Sequence, residues 1–528
     1  MSRMPAYQSA FRHGSLRLAL LAAVLLLSVP LAAQTGTDNA AAPSLPDTSA
    51  VLHVGMLSIT GSAEIPRALL REDIDSAPGA PFSEAALQRD IARVLDRYDR
   101  AGYPFAAVRI AALQLRRAGD SALADITLHI DEGPLLHIDE ITVTGNTLTD
   151  ADVIVREARI EKGARYDAEI VRDIRRRLER LQFFARVAEP QLTLRDDSIG
   201  GLRIAVQEGS TNRFDGVVGY QPAQDSEESG YFTGLVDVRF GNLFGTGRQL
   251  AARWERATRE SSELALHYLE PWLFGFPLNI AVGFFQRQQD SAYVRRAADA
   301  EISLLATTDI TVAATLEATE VIPSVNSTLT GLYRSRTMAA GLQLRIDTRD
   351  DVYNPRSGIF LRNAYSGGDK TYTAPAGDDI SDFIQRIEID AEHYLELFPR
   401  VVLATALHGR ELSGDELDAS DLYRVGGANT LRGYREEQFS GTRFGWLNSE
   451  LRYSLGRRTF AFAFFDFGYI EVSPDSERGR EEMTAFRSGY GLGARIETAL
   501  GIMGVSYALG RGDGLSEGKI HFGLINAF

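Results

Sequence analysis

Leu250-Ala-Ala-Arg-Trp-Glu255 and Glu263-Leu-Ala-Leu-His-Tyr268 are short stretches that follow one rule. In the first, Leu250, Ala252 and Trp254 alternate with Ala251, Arg253 and Glu255; in the second, Leu264, Leu266 and Tyr268 alternate with Glu263, Ala265 and His267. A period of two sends alternate side chains to opposite faces of a β-strand, so one face is apolar and the other small or charged. The rule returns in Leu342, Leu344 and Ile346 against Gln343, Arg345 and Asp347. It returns again at the end, in Ile520, Phe522, Leu524 and Phe528 against Lys519, His521 and Gly523. Strands that are apolar outside and polar inside are those of a membrane barrel with a wet lumen. Sixteen such segments fit into residues 210–528, about 20 residues for each strand and its connection. Tight turns at 243–247, 273–277, 398–400 and 456–458 alternate with long loops. A secreted sandwich also alternates, but sixteen unbroken strands ending on an aromatic favour an all-β 16-stranded transmembrane β-barrel.

Composition narrows the function. The 528 residues carry 56 Lys+Arg against 71 Asp+Glu, a formal net charge of −15, which argues against nucleic acid as a partner. The chain has no cysteine, so thiol catalysis, iron–sulfur clusters and Cys-type zinc sites are excluded. Its eight histidines include no pair at the i, i+4 spacing of a metal-binding helix. No Ser/His/Asp set can be assigned, so we expect no enzyme, no cofactor and no metal. Gly489-Tyr-Gly491-Leu-Gly493 falls within a predicted strand and lacks the helix that a dinucleotide fingerprint requires.

Arg3, Arg12, His13 and Arg17 precede an uncharged run over 18–33, which reads as a signal peptide at 1–33. An Ala/Pro/Ser-rich linker follows at 34–50. No later segment reaches 18 consecutive apolar residues, so helical spans are not expected.

Residues 51–209 contain a repeat. Leu57-Ser-Ile-Thr-Gly61 matches Ile141-Thr-Val-Thr-Gly145, and Ile130-Asp-Glu-Gly133 matches Val206-Gln-Glu-Gly209. The units, 51–133 and 134–209, each read β-α-α-β-β, a small α+β domain with helices on one face of a sheet. Ser83 and Asp167 are expected to cap the longer helices. Their apolar stripes read Leu87, Ile91, Val94, Leu95 and Tyr98 in the first, and Ile170, Ile174, Leu178 and Leu181 in the second.

The longest barrel loop, residues 413–444, holds Gly426-Gly427-Ala-Asn-Thr-Leu431-Arg432-Gly433-Tyr434. The strand after it, Trp446-Leu-Asn448-Ser-Glu450-Leu-Arg452-Tyr453, places Glu450 on the lumen parity. Asp466 in Phe465-Asp466-Phe467-Gly468 has the parity opposite to its aromatic neighbours, although Phe462 and Phe464 share it. A further segment reads Asp347-Thr-Arg349-Asp350…Asn354-Pro355-Arg-Ser-Gly358, whose plain reading is a capped turn.

With its paired repeats and these motifs, the chain resembles the BamA/TamA superfamily of outer-membrane assembly and secretion barrels over about residues 51–528. In that family the repeats are polypeptide-transport-associated (POTRA) domains. Leu431 stands where the family usually has Val or Ile. The resemblance implies a loop tucked into the barrel, with Arg432 meeting Glu450 and Asp466, as a latch or a functional element. It also implies that Phe522, Leu524 and Phe528 form a C-terminal strand signal, with Asn526 a departure where an apolar residue is preferred. The implied partners are unfolded outer-membrane or secreted polypeptide clients, outer-membrane lipid, and accessory lipoproteins or periplasmic chaperones. The implied location is the outer membrane, with the POTRA domains in the periplasm. Two functions stay open: assembly of outer-membrane polypeptides, or two-partner secretion of one dedicated protein.

Overall fold

The computed structural model describes residues 52–525 apart from 119–120, 197–198, 222–229, 257, 290–291, 325–331, 374–377, 475–480 and 499–500. The expected signal peptide, the linker, Asn526 and Phe528 lie outside the described residues.

The first unit runs β1 (Leu52–Thr60), α1 (Arg67–Glu72), α2 (Glu84–Arg100), β2 (Ala107–Ala118) and β3 (Ser121–Asp131). Its sheet order is β1-β3-β2, with β1 parallel to the central β3. Ser83 caps α2 by accepting from the Ala86 amide at 3.4 Å. The buried face of α2 is Leu87, Asp90, Val94 and Tyr98, while Ile91 and Leu95 are only half-buried. Asp90 joins that face because its carboxylate accepts the Asp75 and Ser76 amides at 3.1 and 3.0 Å.

The second unit runs β4 (His137–Thr144), α3 (Ala151–Ala158), β5 (Ala164–Arg165), α4 (Ala168–Arg180), β6 (Phe184–Val187), β7 (Gln191–Asp196) and β8 (Ile199–Glu208). It departs from the simple repeat because the strand before β8 is broken in two. Pro190, which has no N–H to donate, lies in the break. Asp167 caps α4 through the Glu169 and Ile170 amides at 2.8 and 3.1 Å. The buried stripe of α4 is Ala168, Val171, Ile174 and Leu178, with Ile170 and Leu181 at its margins.

The repeated Glu-Gly endings have a shared task. Glu132 accepts the Ala63 and Glu64 amides, both at 3.0 Å. Glu208 accepts the amides of Thr147, Leu148 and Thr149 at 2.9, 3.0 and 2.6 Å. Each carboxylate thereby fastens the last strand of its unit to the loop after the first. Burial alone would raise the Glu208 carboxyl, but the Thr147 hydroxyl and these amides hold it down at about 2.

Sixteen antiparallel strands follow in chain order, from Asn212–Gln221 to Lys519–Ile525. Leu342, Leu492 and Phe522 project from the outer face with 65%, 67% and 67% exposure, while Asp237, Asp390 and Asp466 are buried inside. The sheet is rolled. One loop reaches Arg287 of strand Leu278–Gln289 through Glu437 and His521 of the last strand through Gly433. Among the described residues no pairing joins the first strand to the last. No helix of the described residues is long and apolar enough to cross a membrane.

The second unit docks on the near rim of this sheet. Arg156 donates to the Thr246 carbonyl at 2.9 Å, Arg180 pairs with Asp309 at 2.9 Å, and Tyr353 donates to Gln182 at 2.7 Å. Trp272, at φ +54°, gives its indole N–H to the buried Glu157 at 2.5 Å. Burial pushes the Glu157 carboxyl up, and the indole bond opposes that.

Two outcomes are expected. Folding depresses the Glu208 carboxyl, so its stabilisation is present above the ordinary carboxylate range and is lost as pH falls through about 2. Glu208→Gln should therefore lower the thermal midpoint at neutral pH, and its gap to wild type should close as pH approaches about 2. A gap independent of pH would refute this. Trp272→Ala leaves Glu157 without its donor and should weaken docking by about 1–3 kcal/mol. Spin-label distances between the second unit and the rim should broaden, and unchanged distances would count against the clamp.

Candidate functional site: the lumen loop

The site begins where strand Val401–Ser413 ends and chain enters the lumen before returning as strand Arg443–Ser454. Tyr423–Val425 and Phe439–Gly441 pair to make a stem. Gly426 and Gly427, at φ +130° and +101°, turn the chain in a region that other residues rarely adopt. The Thr430 hydroxyl accepts from the Gly426 amide at 2.8 Å.

At the tip, Arg432 gives Nε and Nη2 to Asp466 at 2.9 and 2.7 Å and Nη1 to Glu450 at 2.5 Å. Its backbone amide also donates to Asp466 at 3.0 Å. Glu450 accepts on its other oxygen from Arg452 at 2.8 Å. All four residues are buried. Such charge-assisted bonds are strong where water is scarce, and breaking one partner leaves an uncompensated charge.

The mixed parity around Asp466 has a physical reason. Phe460, Phe462 and Phe464 face inward with it, and the Arg432 guanidinium lies 3.7 Å from the Phe464 ring centre. Aromatic faces there supply cation–π contact instead of water.

The wall beneath the tip is bare backbone. A Cβ on Gly489 would stand 1.9 Å from the Arg432 carbonyl, and one on Gly468 would stand 2.5 Å from Leu431. Gly491 and Gly493 lie under the rings of Phe464 and Phe462. The Gly489–Gly493 alternation is therefore a strip of wall that lets loop and rings approach. Tyr434 finishes the tip, donating to the Ser488 carbonyl at 2.9 Å.

Two further anchors had no readable signal in the sequence. Buried Lys370 gives Nζ to Asp418 and Asp421 at 2.7 and 2.5 Å, tying the base of the loop to strand Gly358–Thr373. Glu437 accepts from Arg287 and Arg424 at 3.1 and 3.2 Å.

The Asp347–Gly358 motif lies on the near rim, apart from the Arg432 site. Arg349 pairs with Asp347 at 2.8 Å and with Glu392 at 3.2 Å. Asp350 accepts the Arg356 and Ser357 amides at 2.9 and 3.2 Å. Asn354, next to Pro355, donates to the Arg457 carbonyl at 3.0 Å, and Gly358 turns at φ +103°. In the last strand Phe522 faces outward, and the Leu524 backbone pairs with Met503.

A rolled sixteen-stranded sheet with an inward arginine loop and two small α+β domains at one rim defines an Omp85-type barrel with a POTRA arm. Residues 242–528 match the Omp85 superfamily domain, and 52–133 and 136–209 match the POTRA model described as surface antigen variable number repeat. The chain belongs to the Omp85 superfamily, whose BamA-like members are outer-membrane barrels with periplasmic POTRA domains.

Among curated relatives it is 23% identical over 485 residues to the outer membrane protein assembly factor BamA of Nitratidesulfovibrio vulgaris, covering 84% of this chain and 56% of that protein. It is 29% identical over 226 residues to BamA of Neisseria meningitidis serogroup B, covering 41% and 26%. The chain thus spans little more than half of the first relative and about a quarter of the second. Its fold resembles BamA from Haemophilus ducreyi lacking POTRA domains 1–3, with TM-score 0.52, 16% identity and coverage of 89% and 98%. It also resembles CdiB from Escherichia coli, with TM-score 0.54, 14% identity and coverage of 88% and 89%.

Arg432→Ala should cost about 3–5 kcal/mol by stranding Asp466 and Glu450. Gly489→Ala should produce the same loop release through crowding alone, with every charge intact. Both should lower the temperature at which the unheated, compact electrophoretic band is lost. Wild-type heat-modifiability in both variants would rule out the latch.

Proposed function

We propose that the protein is an outer-membrane assembly factor that inserts client polypeptides, working without a cofactor. The observation that carries this reading is the pair of strand edges at the ends of the sixteen-stranded sheet, unpaired among the described residues. Among the described residues the last strand pairs with its neighbour over Lys519–Ile525, whereas the strand at Asp379–Phe398 has 20 residues. A short edge opens at low cost, and an exposed edge can template an extended client through main-chain bonds.

The POTRA sheets supply further edges for client segments in the periplasm, beside accessory lipoproteins or chaperones, while the outer face meets outer-membrane lipid. In this scheme the Arg432 latch keeps the loop inside while the seam moves. The signal peptide at 1–33 serves export.

A second reading, dedicated two-partner secretion, draws on the two POTRA matches, since such transporters resemble this chain in having two POTRA domains and a barrel. Depleting the protein and quantifying the outer-membrane and secreted proteomes separates the two. Loss of many unrelated barrels is the expected result. Loss of one secreted protein with other barrels intact would replace the first reading with the second. A disulfide locking the first strand to the last should then abolish insertion, and undiminished insertion would refute the seam.

A further inference from the structure

A barrel's outer face tolerates charge near the membrane interfaces and penalises it between them. Three neighbouring strands, Tyr293–Leu305, Ile310–Pro323 and Ser335–Asp347, carry such charge in a single row. Arg296 stands opposite Glu320, and Glu320 stands opposite Arg336. The row shares its parity with Ile302, Leu316, Met338 and Leu342, all exposed on the outer face. It lies within three residues of the strand ends farthest from the rim that holds the POTRA arm.

The row is unevenly charged. Arg334 and Arg336 donate to the same oxygen of Glu320, at 2.7 and 3.4 Å, and their side chains stay 57% and 72% exposed. Arg296 gives Nε to the Gln286 amide oxygen at 3.0 Å. Three guanidinium groups thus share one carboxylate on these strands. Asp369, opposite Met338, is the next outward acid among the described residues, on the following strand and one row nearer the middle of the wall. A similar row elsewhere has the reverse balance, because Arg443 sits between Glu411 and Glu471 at 3.0 and 2.7 Å. On a chain of net charge −15, a local positive excess on the outer face marks a place for an anion. Directly below the row the surface is shallow: Ala298 pairs with Ala318, Ala300 follows on the same face, and Phe284 and Met338 flank the pair.

We propose that this row binds a lipid of the outer leaflet whose headgroup carries more than one phosphate, with an acyl chain lying in the alanine recess. The proposal rests on the outer-membrane location and stands whether the protein assembles many clients or exports one. Guanidinium forks match phosphate oxygens bidentately and are more weakly hydrated than ammonium groups. Arg296 and Arg336 are two strand spacings apart, about 10 Å, so two phosphates of one headgroup can be met separately. The recess adds a second requirement, an apolar chain running from the headgroup toward the membrane centre, which a free phosphate lacks. These strands are the sixth, seventh and eighth of the sixteen, so the lipid grips the middle of the sheet and leaves its two ends alone.

The test uses the full-length protein in a non-ionic detergent, with native mass spectrometry counting the lipid each molecule retains. Lipid A carrying both phosphates should bind roughly tenfold tighter than its dephosphorylated form. Replacing both cations, Arg296→Gln with Arg336→Gln, should abolish that difference, whereas Arg443→Gln should keep it. Ala298→Phe should weaken binding of the phosphorylated lipid with every charge intact. Equal binding of the two forms, or a preference that survives in the double variant, would overturn the site. Equal binding of phosphatidylglycerol, which has one phosphate, would overturn the need for a second. Displacement by inorganic phosphate at equal concentration would replace the lipid with a free phosphate, and full binding in Ala298→Phe would remove the recess from the site. If the double variant does not give the compact unheated band, competition on the wild type decides. Excess phosphorylated lipid should displace isotope-labelled lipid A and excess dephosphorylated lipid should not; displacement by both alike would overturn the site.

Discussion

A guanidinium inside a narrow lumen has little water to fall back on, so its position is set by the carboxylates it can reach. Arg432 reaches two of them on neighbouring strands, Asp466 on Phe460–Val472 and Glu450 on Arg443–Ser454. Satisfying both requires the loop tip to lie almost flat on the wall, which is why Gly468 and Gly489 have no side chain there. It also calls for something other than water around the charge, and inward-facing phenylalanines provide it. The stem, the Lys370 anchor and the Glu437 bridge hold the rest of the loop where this contact needs it. The interaction is local, yet it constrains the composition of three neighbouring strands, Arg443–Ser454, Phe460–Val472 and Met483–Thr498.

The parts legible in the sequence were those governed by short-range periodicity. Alternation places Glu450 and Arg452 inward and Leu447 and Leu451 outward, as the burial of that strand shows. Ser83 and Asp167 cap their helices because a cap depends only on residues within one turn. The parts that stayed hidden depend on contacts between distant segments. Asp90 reads as a break in an apolar stripe until the Asp75 and Ser76 amides, fifteen residues or so away, are brought to it. Gly489–Gly493 carries no meaning without the loop that lies on it, because a missing side chain signals only that something comes close. Glu132 and Glu208 were visible as a repeat, but their work on the opposite end of each unit was not.

Arginine dominates these contacts throughout. Of the three lysines, Lys370 sits between two aspartates, where three radiating N–H bonds suit a point charge. Every junction that needs a planar fork, from Arg349 on Asp347 to Arg432 on Asp466, uses a guanidinium. The lumen is thus built of directional bonds, which resist sliding of one element past another more than apolar packing would.

The docking of the second POTRA domain gives the molecule a lever. Its bonds fall on the rim turns that follow residues 243, 270, 305 and 347, with a lone arginine–carbonyl contact from the turn after 454. Among the described residues the domain therefore grips the half of the circumference that begins at the first strand and holds the half that ends at the last strand by far less. Torque applied to the arm would therefore be delivered unequally to the two ends of the sheet. A pull on the arm would load the lip beside the first strand before the lip beside the last.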